Sequence, residues 1–358
     1  MGKRLVVCCD GTWNTPDQNN GGRACPTNVT KLALSVAPVG ADGMEQRMFY
    51  HRGVGTRRWE RVRGGAFGLG LSRNIQDAYR FVVENFDPGD ELFFLGFSRG
   101  AYTARSTVGL IRNAGVLRRE HVDQVGEAYR LYRSRADEAR PTGTEAKLFR
   151  KSYSHETRIR FIGVWDTVGA LGIPLSGLRW ANAFNRRWQF HDTDLSTSVD
   201  AAFHALAVDE KRPPFQPAVW NQQPDARSQR LEQVWFSGTH CDVGGGTPDS
   251  SLSDLGLLWM ADRARSCGLG FDEARFSREE TPGSTCEFPV RPDPWGPVHE
   301  SRKGFYRLLP RYDRPLGVAN DGEEYVASTT VQRREKDSDY APPGLVAYLG
   351  GPHRVMDI

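Results

Sequence analysis

Residues Glu91 to Arg105 read ELFFLGFSRGAYTAR, and few folds can accept residues in that order. An acidic turn leads into the apolar run Leu92 to Leu95. G-F-S-R-G follows, and small residues then open a helical stretch. The pattern predicts a strand, a sharp turn carrying Ser98, and a helix packed close to a sheet. Gly96 and Gly100 flank the serine because larger side chains would crowd a strained backbone and the neighbouring strand. Such a turn lifts the serine hydroxyl above the sheet edge at a helix N-terminus, where developing negative charge is favoured. An ordinary glycine-rich turn can carry the same spacing. The strand before it, with Ala101 and Ala104 behind Gly100, argues for the activated serine.

The chain has 358 residues, enough for one large α/β domain or two small ones with an ample core. A hydrophobic content of 39% and a charged content of 25% describe a soluble globular protein. The 47 basic and 44 acidic residues leave +3, which points to neither nucleic acid nor a strongly anionic surface as partner. The first apolar run, Leu5 to Cys9, is too short for a signal peptide, and no stretch reaches bilayer-spanning length. The expectation is a cytoplasmic protein, or one exported without a classical signal. Six cysteines without a C-x-x-C pair read as free thiols.

Arg4 to Cys9 is expected as a strand ending in the tight turn Asp10-Gly11-Thr12, with an exposed loop from Asn14 to Pro26 and a helix from Thr27 to Ala37. Arg47 to His51 reads as a strand, and Gly53 to Gly70 as a long loop. Ile75, Tyr79, Val82, Val83 and Phe86 form a helical stripe suited to covering a sheet. Further strands are expected at Arg158 to Trp165 and Gln233 to Thr239, with a helix at Val199 to Val208. Phe305 to Leu309 and Tyr325 to Val331 hint at terminal strands or an added flap. Short, unalternated apolar strands separated by helices predict a mostly parallel central sheet with helices on both faces. One domain spanning 1–358 is expected. It would have an inserted helical and aromatic lid region within 170–230, carrying Trp180, Phe184, Trp188 and Phe190, and a C-terminal extension over 305–358.

Ser98 is a poor nucleophile until a base takes its proton, so a histidine and an orienting carboxylate should follow it. Ligands gather beyond the carboxyl ends of parallel strands, which favours Asp242 as the acid, just past Thr239 and before Gly244, Gly245 and Gly246. Asp254 is an alternative acid, although its capping-box spacing from Ser251 offers a structural role. Asp166, immediately after a strand, is the other alternative. Chain order leaves His299 or His353 as base, and His299 in W-G-P-V-H-E-S is preferred. His240 reads as a core or supporting histidine. The backbone amides of Arg99 and of Gly11 or Thr12 are the expected oxyanion donors.

Six segments resemble a family formerly labelled DUF2235, which includes the Tle1-like catalytic domains of type VI secretion phospholipase effectors. They are LVVCCDGTWN (Leu5 to Asn14), YHRGVGT (Tyr50 to Thr56), LGFSRGAYTAR (Leu95 to Arg105), GVWDTVGALG (Gly163 to Gly172), HCDVGGG (His240 to Gly246) and VHES (Val298 to Ser301). The resemblance implies an α/β-hydrolase fold and a Ser-Asp-His triad. It maps Ser98 to the elbow and supports Asp242. It implies no cofactor and an ester or phospholipid substrate, with peripheral membrane contact as an option. Immunity, delivery and oligomeric partners stay open.

Two other readings compete with a serine esterase. Asp10, Asp166, His240 and Asp242 are of the right type for a metal-assisted phosphoesterase, although their spacing matches no recognised metal pattern. A binding protein that keeps the hydrolase scaffold without catalysis is the other.

Overall fold

A computed structural model describes residues 2–11, 19–20, 23–53, 66–169, 194–226, 228–276, 288–319 and 322–358. Among them, eight strands form one sheet in which every neighbouring pair is parallel. The strands are β1 (Arg4–Cys9), β2 (Gln46–His51), β3 (Glu91–Phe97), β4 (Phe161–Trp165), β5 (Ala201–Ala207), β6 (Arg230–Phe236), β7 (Glu324–Ala327) and β8 (Val355–Met356). Their order across the sheet is β8-β7-β6-β5-β4-β3-β1-β2. The chain runs outward from β1 to β2, then returns to the other side of β1 and continues through β3. The order therefore reverses between β1 and β3, so the ligand crevice of such a sheet opens beyond the ends of these two strands. Asp10 and Ser98 stand at those ends.

The strands are unalternated because both faces are covered. Leu5, Val7 and Cys9 of β1 pack beneath α2 (Ala66–Asn85) and α3 (Arg99–Ala114). Val6 and Cys8 face the opposite core, with α1 (Asn28–Ser35) and the helix Ser251–Ser266. The expected stripe of Ile75, Tyr79, Val82, Val83 and Phe86 is the buried face of α2. That helix begins at Ala66, inside the stretch expected as loop.

Two expectations are corrected, and one open alternative is decided. Val199 to Val208 is not a helix; its centre is strand β5, paired on both sides and buried throughout. AAFHALA is alanine-rich and carries no alternation, so local propensity favours helix until parallel partners on each edge override it. Because β5 is central, 170–230 is not one continuous insertion. Phe305 to Leu309 is a 3-10 turn, Gly304–Leu308, rather than a strand. Tyr325 to Val331 takes the terminal-strand alternative: it divides into β7 and the helix Ser328–Lys336, and β7 and β8 extend the main sheet. The aromatic segment proposed as a lid, with Trp180, Phe184, Trp188 and Phe190, lies outside the described residues.

Candidate active site

Ser98 joins β3 to α3 with φ 57° and ψ −120°, a left-handed conformation that costs a non-glycine residue about 1–3 kcal/mol. The neighbours enforce it. A side-chain carbon on Gly100 would overlap the Cys9 and Asp10 carbonyls at the end of β1. One on Gly96 would collide with the Gly100–Ala101 backbone. The Ser98 amide donates to the Trp165 carbonyl of β4 at 3.1 Å, which ties the elbow to the adjacent strand. Arg99 is the first residue of α3, where backbone N–H groups point out of the helix end.

The structure brings Asp242 and His299 together. Asp242 lies in a short helix, His240–Gly244, after β6. Its Oδ1 is 2.6 Å from His299 Nδ1. Its Oδ2 accepts from the His299 amide at 3.0 Å, and from the Thr239 amide and hydroxyl at 2.9 Å each. Asp242 is buried, while the His299 side chain is 37% exposed, an arrangement that suits a base needing access to substrate. A side chain on Gly244 would overlap the Phe97 ring, so this loop packs directly against the residue preceding Ser98. Among the described residues no hydrogen bond joins Ser98 to either His299 or His240.

A second aspartate–histidine pair lies beside the first, and sequence did not reveal it. Asp166 follows β4 at φ 37° and is fully buried. Its Oδ2 is 2.6 Å from His240 Nδ1, and Arg314 holds both oxygens, at 2.6 and 3.0 Å. Burial alone would raise the Asp166 pKa. The Arg314 charge, with hydrogen bonds from His240 and Arg314, outweighs it and holds the carboxyl far below its usual range. Burial lowers the His240 pKa even against Asp166, which keeps the ring neutral near pH 7. The His240 ring lies 4.6 Å from that of Phe97 and 5.0 Å from that of Phe215. Glu210 closes the network: it binds Arg212 at 2.8 and 2.9 Å and accepts from Ser301 Oγ at 2.9 Å, two residues past His299.

The other sequence candidates are occupied differently. Asp10 accepts from Tyr50 at 2.6 Å, from Thr30 at 2.8 Å, from Thr27 at 2.8 and 2.9 Å, and from the Gly11 amide at 2.6 Å. It braces the turn, and the Gly11 N–H expected to face an oxyanion donates to this carboxylate instead. Thr12 lies outside the described residues. Asp254 binds buried Lys31 at 2.6 Å and accepts from Ser250 at 2.9 Å and the Arg291 amide at 2.8 Å. The helix cap is Ser250, not Ser251, so the expected capping box is not formed. His353 bonds only its local loop, at the Gly351 carbonyl. Among the described residues no three histidine, cysteine, aspartate or glutamate side chains gather as a metal ligand set. Asp10, Asp166, His240 and Asp242 are instead divided among the hydroxyl cluster, the Arg314 pair and His299.

Comparison with known proteins finds a family match and partial relatives. Residues 3–263 match the family described as "T6SS, Phospholipase effector Tle1-like, catalytic domain". A protein of Saccharomyces cerevisiae described as uncharacterized is 29% identical over 245 residues, 62% of this chain and 33% of that protein. The chain thus spans about a third of that relative's length. The crystal structure of an uncharacterized protein from Pseudomonas aeruginosa aligns with a TM-score of 0.45 and 17% identity, covering 81% of this chain and 49% of that one. Among the described residues no helix is long and apolar enough to cross a membrane.

Proposed function

The chain belongs to the Tle1-like catalytic-domain family, and from that premise we propose that it cleaves carboxylic esters of lipids through a Ser98 acyl-enzyme. The observation that carries the reading is the 2.6 Å Asp242–His299 contact on a loop packed against the Ser98 elbow. His299 Nε2 takes the Ser98 proton as Oγ attacks the ester carbonyl carbon. Asp242 keeps the Nδ1 proton in place and stabilises the imidazolium. The Arg99 amide holds the developing oxyanion, where one donor is worth about 3 kcal/mol. The imidazolium then protonates the departing alkoxide as the ester C–O bond breaks. Water, deprotonated by the same nitrogen, attacks the acyl carbonyl; the carbon–Oγ bond then breaks, His299 returns the proton to Ser98 Oγ and the carboxylic acid leaves.

A second reading gives the base role to His240 with Asp166 as its acid, favoured by the His240 ring resting against Phe97. Intact-mass detection of a fluorophosphonate adduct separates the possibilities. The wild type is expected to gain one adduct and Ser98→Ala none. His299→Ala should slow labelling by about 1,000-fold or more if it is the base. If His240→Ala slows it that far and His299→Ala does not, the second reading replaces the first. A folded wild-type protein that takes no label removes both.

A further inference from the structure

We propose that the segment carrying His299 is a docking surface for an anionic lipid bilayer. Three large apolar side chains of this segment stand in solvent: Trp295 at 43%, Phe305 at 58% and Leu308 at 81% exposed. Leu308 is the most exposed large apolar side chain among the described residues. Phe305 and Leu308 belong to the 3-10 turn Gly304–Leu308, in which residues three apart eclipse, so both project from one side.

The turn is braced from behind rather than frayed. Tyr306 meets the Phe215 ring edge-on at 6.1 Å and lies beneath the Arg212 guanidinium at 5.3 Å. Arg302 donates to the Leu309 carbonyl at 2.6 Å. Folding therefore leaves two neighbouring apolar side chains unburied on a fixed support.

Charge identifies the occupant. Between Pro294 and Arg311 the sequence holds Arg302, Lys303, Arg307 and Arg311 against Glu300 alone. Lys303 and Arg307 are exposed beside Phe305 and Leu308, while Arg311 pairs with Asp313 at 2.7 Å. The small net charge of the whole chain conceals this local excess. Apolar side chains interleaved with cations match the headgroup layer of an anionic bilayer, where each basic residue and each buried methylene adds to binding. The proposal rests on the lipid-ester reading only for why such a surface should flank His299; docking itself needs no turnover.

The test uses the full chain carrying Ser98→Ala, so that no lipid is consumed, sedimented with large vesicles. The vesicles are phosphatidylcholine alone or with about 30% phosphatidylglycerol. Binding to the mixed vesicles is expected to exceed that to phosphatidylcholine by about tenfold and to weaken with salt. Adding Phe305→Ala with Leu308→Ala, or Lys303→Glu with Arg307→Glu, should each lower it by about tenfold, with thermal unfolding unchanged. Undiminished binding by these variants overturns the proposal, as does failure of the folded parent to bind mixed vesicles. So does a dimer in sedimentation velocity that the Phe305 and Leu308 changes abolish, since a second copy would then cover the face.

Discussion

Ser98 was readable because everything that makes it unusual is local: an apolar strand, glycines on both sides, and a small-residue helix. The Asp166–His240 pair was not, because Arg314, which holds Asp166, is 148 residues away from it and no periodicity announces that contact. These two groups set an acid-sensitivity that can be given a sign. Burial lowers the folded His240 pKa, so the stability it confers is complete above the unfolded value near 6.5 and lost as pH falls below it. Asp166 is depressed by Arg314 despite burial, so its contribution holds above about 3.9 and is lost only in stronger acid. Urea unfolding should therefore show stability falling from pH 7 to pH 5, by at most about 1.4 kcal/mol per pH unit for one proton. His240→Asn should flatten that slope; an unchanged slope would assign the titration to another group. Asp166→Asn leaves Arg314 buried without its carboxylate and should cost about 3–5 kcal/mol at pH 7.

At the scale of elements, the elbow depends on three strand ends meeting with no space between them. The Gly100 backbone touches the carbonyls that close β1, the Ser98 amide bonds the carbonyl that closes β4, and Gly244 seats the Asp242 loop on Phe97. Gly100→Ala puts a methyl against backbone, which cannot rotate away as a side chain could. The expected outcome is a loss of about 2–4 kcal/mol in unfolding and a fall in fluorophosphonate labelling beyond what the unfolded fraction explains. Normal stability and labelling would mean that the elbow can shift without consequence. Elements of this kind were legible wherever a single apolar pattern fixes them, as in β1, β3 and α2. The strand β5 was not, because AAFHALA takes its conformation from hydrogen bonding to β4 and β6 rather than from its own composition. The 3-10 turn at Gly304–Leu308 is illegible for the opposite reason: its apolar residues have a strand-like pattern, but Phe305 and Leu308 face solvent instead of a sheet.

Across the whole molecule, a buried ion pair joins two helices far apart in sequence on the same face of the sheet. Lys31 of α1 and Asp254 of the helix Ser251–Ser266 meet at 2.6 Å with side chains 2% and 0% exposed. Asn28, one turn earlier in α1, donates to the Val243 and Ser253 carbonyls at 2.9 Å each, so the same contact extends to the loop that carries Asp242. Asp254 is a candidate acid on sequence alone, but its carboxylate oxygens are taken by Lys31, Ser250 and the Arg291 amide. The two roles separate experimentally. If Asp254 is a clamp, Asp254→Leu strands the Lys31 charge and should cost about 3–5 kcal/mol, while the remaining folded molecules label at Ser98 at the normal rate. Lys31→Met in the same chain removes the stranded charge and should restore most of that stability, because an apolar pair of similar volume can replace a buried ion pair. A catalytic Asp254 would give the reverse: labelling lost in proportion to folded protein, and no recovery of labelling when Lys31→Met is added.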